Sequence, residues 1–235
     1  MSMLKSVLSF ILVCTVGVCL FGQTMTDGTI TMSVTDVEVT KPEMQQMVSA
    51  MKGTNQVIQF NKNQQKVTVD MMGGLVKVRT YQDFDKGTSE NYMDMMGQKI
   101  KMQAEDMKKT QEQAKELLGD NKVMYDKSDK KTILGRECYK GTLDIEVEGQ
   151  PFQMAFYLTE DIKVPQAFIQ NMGGIELTGT PLELVMDLGM MKMTYTATEI
   201  LEEVEQDFFA KPEGDYKEMT AEELQQMGLG GQLGF

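Results

Sequence analysis

The sequence predicts an α+β fold: a single curved antiparallel β-sheet, open like half a barrel, with a few helices on or over its concave face. Three observations predict it. Runs of strict apolar–polar alternation recur from Ile30 to Ala197, and period-2 alternation marks strands with one buried face. Clusters of Gly, Asn, Asp and Pro separate these runs at even spacing, as in a meander. Stretches with helical apolar spacing are few and short.

In chain order, Lys5 precedes an apolar run from Val7 to Phe21. That order and length belong to a secretory signal peptide. Cleavage is expected after Gly22, with Cys19 as the alternative, and residues 1–22 are set aside as the leader. The run is short for a transmembrane anchor, and no basic stop-transfer flank follows it. Val13 and Val18 precede Cys14 and Cys19 where lipid attachment needs a small residue, so no lipid anchor is expected. One sheet-plus-helix domain is expected over 23–215, then a short C-terminal helix and Gly-rich tail over 216–235.

Ile30, Met32 and Val34 alternate, and Val37 and Val39 resume on the opposite parity, so a strand with a bulge near Thr35-Asp36 is expected. Thr40 to Glu43 reads as a capping box. Met44, Met47, Val48 and Met51 then share one helical face, closed by Gly53. From Asn55 to Met102 the pattern is a meander, with short strands at Val57–Phe60, Val67–Met71, Leu75–Tyr81, Glu90–Met96 and Lys99–Met102. Gln103 to Leu118 reads as a largely solvated helix with a thin apolar stripe. It is either a connector or a lid over the sheet.

Two hairpins follow. Leu143, Ile145 and Val147 alternate with acids, turn at Gly149-Gln150-Pro151, and return as Phe152, Met154, Phe156 and Leu158. Val164 to Met172 reads as a loop or helical turn. Leu182, Leu184, Met186 and Leu188 then alternate, turn at Gly189, and return as Met191, Met193, Tyr195 and Ala197. Phe208, Phe209 and Pro212 are expected to dock the chain end. Thr220 to Glu223 forms a second capping box.

Composition bounds the chemistry. The chain has 235 residues, enough for a real core, and a formal net charge of −12. Such a charge repels nucleic acid and anionic lipid surfaces, so no nucleic-acid partner is expected. There is no His, which removes His-based acid–base chemistry and nearly every zinc site. No nucleophile elbow or phosphate-binding Gly-Lys-Ser/Thr loop is present. A non-enzymatic protein without a cofactor or metal is expected. Cys138 is the one cysteine beyond the leader, so a buried, slow-reacting thiol is expected. The 23 methionines raise a copper(I) alternative at Met93, Met95 and Met96, at Met190, Met191 and Met193, or at Met44, Met47 and Met51. The other reading is that they replace leucine in a core.

A set of ordered motifs carries a resemblance. Gly135 to Lys140 (Gly-Arg-Glu-Cys-Tyr-Lys) precedes the first hairpin, whose second arm ends in Phe-Tyr-Leu-Thr-Glu-Asp-Ile, Phe156 to Ile162. Asp94 to Lys99, Thr178 to Leu184, and Val204 to Pro212 complete the order. Together these resemble the secreted bacterial domain-of-unknown-function family 4412. The resemblance covers most of the chain after the leader. It implies no activity, and its layout resembles the half-barrel lipoprotein carriers of the Gram-negative periplasm. Fold likeness of that kind does not set function.

The candidate site is the apolar side of the two hairpins: Phe152, Met154, Phe156, Leu158, Leu182, Leu184, Met186, Met191, Met193 and Tyr195. The supply of helices to cover it looks thin, so unfilled apolar surface suited to an acyl chain is expected. The expected partner is an apolar ligand, a lipid or a lipidated protein. The alternative is a structural or protein-interaction module with a fully packed core. Phe156→Asp or Met193→Asp is expected to abolish binding while the fold survives.

Overall fold

The computed structural model describes residues 24–95, 97–102, 121–147, 150–165, 175, 177–220 and 222–223. The expected leader, residues 1–22, and the polar stretch Gln103 to Leu118 lie outside these residues. So do most of Val164 to Met172, the Gly149 corner and the tail beyond Glu223.

Twelve strands form one sheet. They are β1 (Gly28–Val39), β2 (Asn55–Phe60), β3 (Gln64–Met71), β4 (Val76–Asp83), β5 (Thr88–Met95), β6 (Gln98–Met102), β7 (Met124–Ile133), β8 (Arg136–Val147), β9 (Gln150–Thr159), β10 (Thr180–Asp187), β11 (Met191–Leu201) and β12 (Lys217–Met219). The spatial order is β12-β6-β5-β4-β3-β2-β1-β11-β10-β9-β8-β7. Pairing is antiparallel except where β12 runs parallel to β6. The sheet is curved and open rather than closed on itself.

Two meanders make the halves, and β1 joins them. It pairs with β2 on one side and with β11 on the other. Its register shifts between Val34 and Asp36, which places the bulge where the parity of the sequence changes. The shift keeps both Val34 and Val37 buried. Between β7 and β8 the chain reverses at Leu134 (φ 47) and Gly135 (φ 78). Two successive left-handed residues make the tight turn whose twist suits a hairpin.

Two expectations are corrected, and two strands were not foreseen. Helices contribute less than expected among the described residues: one seven-residue α-helix, Gln45–Met51, and two three-residue 3-10 turns. Thr40 does not cap; no side chain caps Pro42–Met44, and the Thr40 hydroxyl donates to the Met190 carbonyl at 3.2 Å. β7 and β12 were not legible as strands. β7 is exposed along most of its length and so carries no apolar alternation, and β12 has three residues.

The outward face is polar and paired. Lys131 donates to both carboxylate oxygens of Glu183, at 2.8 and 2.6 Å. Arg79 donates to Asp94 at 2.7 Å, and the Tyr216 hydroxyl donates to the same carboxylate at 2.7 Å. The chain end docks on this face, as expected. Phe209 stands edge-on to Tyr81 at 5.5 Å, and Tyr216 edge-on to Tyr92 at 5.1 Å. Lys211 lies 4.0 Å from the Tyr81 ring centre, and the Tyr81 hydroxyl donates to the Ala210 carbonyl. The second capping box also forms, with reciprocal bonds between Thr220 and Glu223 at 2.8 and 3.1 Å.

Candidate functional site

Strand parity puts one residue in two on the inward face, and register aligns these residues into rows across the sheet. One row runs Val34, Tyr195, Leu184, Phe156, Gly141 and Tyr125. The next runs Val37, Met193, Met186, Met154 and Leu143. On the other half a row runs Ile30, Ile58, Val67, Thr80, Asn91, Met102 and Met219. The inward face is apolar across β1 and β8–β11, and elsewhere Gln56 on β2, a polar stretch on β3–β5, Gln98 on β6 and Lys130 on the edge strand β7 interrupt it.

The ten expected site residues do share this face, and burial divides them. Met154, Phe156, Leu158, Leu182 and Leu184 are buried. Met154, Phe156, Leu158 and Leu184 pack with Tyr139, Leu143, Ile145 and Ile175, whereas Leu182 joins Ile30, Ile58 and Phe60 in a second cluster. Phe152, Met186, Met191, Met193 and Tyr195 keep part of their surface exposed. They cluster where β9 begins, β10 ends and β11 begins, beside the exposed turn at Leu188 and Met190. Burial raises the pKa of the Tyr195 phenol, with no charged neighbour contributing.

The pairing also adds residues that the hairpin patterns did not reveal. Val69, Val78 and Met93 extend the apolar face, and Gln65, Thr80, Gln82, Ser89 and Asn91 interrupt it. The signal was present as polar residues at the inward parity of β3–β5, but it identifies a shared site only once the register is known.

Cys138 is fully buried among Ile133, Ile162 and Leu182. Burial first, then the nearby Asp161 carboxylate, push its thiol up to about 11, which leaves it protonated and unreactive. Met93 and Met95 are buried beside Val76, Ile100, Met102 and Met219 as packing residues. Among the described residues no three His, Cys, Asp or Glu side chains gather as metal ligands. No helix of the described residues is long and apolar enough to cross a membrane.

No family model matches the chain, and no curated protein does. The resemblance to domain-of-unknown-function family 4412 thus has no support from a family model. Two solved structures align over most of the chain. The lipoprotein LppX of Mycobacterium tuberculosis shares 10% identity, covers 76% of this chain and 89% of its own, with a TM-score of 0.34. LprF from Mycobacterium bovis shares 12% identity, covers 81% and 92%, with a TM-score of 0.33. Likeness at this level assigns no activity.

Proposed function

We propose that this chain is a non-enzymatic binding protein, exported by its amino-terminal segment, that holds an apolar ligand against the inward face of its sheet. One observation carries the reading: an apolar face that continues across β1 and β8–β11 and stays partly exposed at Phe152, Met186, Met191, Met193 and Tyr195. A sheet buries such a face against a second layer. Twelve strands at about 4.8 Å span roughly 55 Å, whereas a helix is about 10 Å across. The helix Gln45–Met51 cannot supply that layer alone.

The energetics suit one long acyl chain. Micromolar affinity corresponds to about 8 kcal/mol, and association costs at least about 4 kcal/mol more. At about 0.8 kcal/mol per buried methylene, about fifteen methylenes meet both. A free lipid or the acyl chain of a lipidated protein would serve. The second reading, a packed interaction module, is favoured by the closed packing of Met154, Phe156, Leu158, Leu182 and Leu184.

Titration of the mature protein with the uncharged dye Nile red tests the proposal. Binding in the micromolar range is expected, with at least tenfold loss (about 1.4 kcal/mol) in Met186→Asp and Met193→Asp variants that circular dichroism shows to be folded. Absence of binding by the unmodified protein, or unchanged binding by both folded variants, rejects the ligand reading in favour of the packed module.

A further inference from the structure

The polar stretch on the inward face has a form that the apolar reading does not use. Gln65 pairs with Gln82, and Gln82 with Ser89; in the adjoining row Thr80 pairs with Asn91. Five polar side chains thus form one island on β3, β4 and β5. Phe60 and Val67 border it on one side and Met102 on the other. Gln65 is 2% exposed, Thr80 4% and Gln82 7%. The Gln65 Oε1, Ser89 Oγ and Asn91 Oδ1 atoms are sealed from solvent and have no hydrogen-bond partner among the described residues. Native structures pair nearly all such atoms, and each one left alone destabilises the fold.

The contrast with the outward face of the same strands is direct. There Gln64 donates to Asp83, Arg79 to Asp94, and Lys101 pairs with Glu90. The unpartnered atoms belong to the inward side alone. That side holds no ionisable group from β2 to β6: its inward residues are Gln, Ser, Thr, Asn, Val, Ile, Phe and Met. Two of the lone atoms are amide carbonyl oxygens, which only accept, and the third is a hydroxyl, which donates or accepts. A ligand group that matches the two carbonyl oxygens donates hydrogen bonds, and one without charge avoids a buried unpaired ion. A carboxylate or phosphate only accepts, and it would bring a buried charge with no cation facing it.

We infer that the island binds the uncharged, hydroxyl-bearing head of an amphipathic ligand whose chain lies along the apolar face. The inference rests on the ligand reading above and names the ligand's class. From β4 the order runs through β3, β2 and β1 to β11, so four strand spacings, about 19 Å, separate the island from Met193 and Tyr195. One long acyl chain has that length, and to lie there it displaces the closed packing over Ile30, Met32 and Ile58.

The test compares three probes of equal chain length by displacement of Nile red: monomyristoylglycerol, which donates; methyl myristate, which accepts without charge; and myristate, which is charged. The monoacylglycerol is expected to bind at least tenfold tighter than either of the others. Gln65→Leu and Asn91→Leu are expected to reduce that preference to below threefold and to leave methyl myristate unaffected. Ser89→Ala, which removes a single oxygen, is expected to lower the preference in a protein that folds normally. Equal affinity for all three probes, or preference for myristate, overturns this inference while the apolar reading stands; the island would then serve internal water only. Failure of the dye and every probe to bind overturns both.

Discussion

Replacing Phe156 and Met193 separately by alanine separates the closed part of the inward face from its accessible end. Phe156 lies in the row between Gly141 and Leu184 and is fully buried. Truncating a buried phenylalanine to alanine costs about 3–5 kcal/mol, from lost transfer free energy plus the cavity left behind. For a chain of this size each kcal/mol moves the melting temperature by about 2–4 °C, so Phe156→Ala is expected to melt about 6–20 °C lower. Met193 keeps part of its surface in solvent, so its truncation costs a fraction of the fully buried value, about 1–2 kcal/mol. Its melting temperature is expected to fall by less than half as much. Thermal unfolding followed by far-ultraviolet circular dichroism measures both, with urea titration confirming an unchanged m-value. If the two variants melt within about 2 °C of each other, the division of the face into closed and accessible parts is refuted. The same reasoning revises the Phe156→Asp expectation. A carboxylate at that position would be buried without a partner, a penalty of several kcal/mol on a total stability of about 5–15 kcal/mol. That variant is expected to lose the fold, which leaves Met193→Asp as the informative charge probe.

Cys138 is expected to resist a thiol reagent at mildly alkaline pH and to react at once in denaturant, because its thiol is pushed up to about 11; rapid labelling of the folded protein contradicts its burial. Tyr216 is pushed up to about 12 from 10.0, by burial and then by donation to Asp94. The folded protein therefore holds this proton where the unfolded chain releases it, and the stability it contributes is lost as pH rises from about 10 to about 12. Urea unfolding across that window is expected to weaken more steeply in the unmodified protein than in Tyr216→Phe, and parallel curves refute the assignment. Gly179→Ala would place a Cβ 2.7 Å from the Thr159 carbonyl oxygen, a backbone atom that cannot yield cheaply. A loss of about 1–3 kcal/mol is expected in urea titration, and an unchanged midpoint would show that the β9–β10 connection relaxes freely.

Where a strand alternates, alternation by itself determined which of its sides faces inward, because successive side chains leave a pleated backbone on opposite faces. That is why the parity change at Thr35-Asp36 located the bulge, and why the two hairpins assigned all ten candidate residues to one face. Local chemistry likewise determined the Thr220–Glu223 box, whose partners are three residues apart. Parity carries no information about which strand lies alongside. That β1 pairs with β11 across more than 150 residues is decided by the burial that the whole sheet achieves. Pairing also converted polar residues scattered over β3, β4 and β5 into one island, since Gln65, Gln82 and Ser89 become neighbours only in register. Depth was the other tertiary decision. Phe156 and Met193 have the same pattern in sequence, but Phe156 lies inside a packed cluster while Met193 lies near the exposed β10–β11 turn. An apolar residue at the inward parity is directed toward the interior, and only the packing around it sets how much surface remains for a ligand.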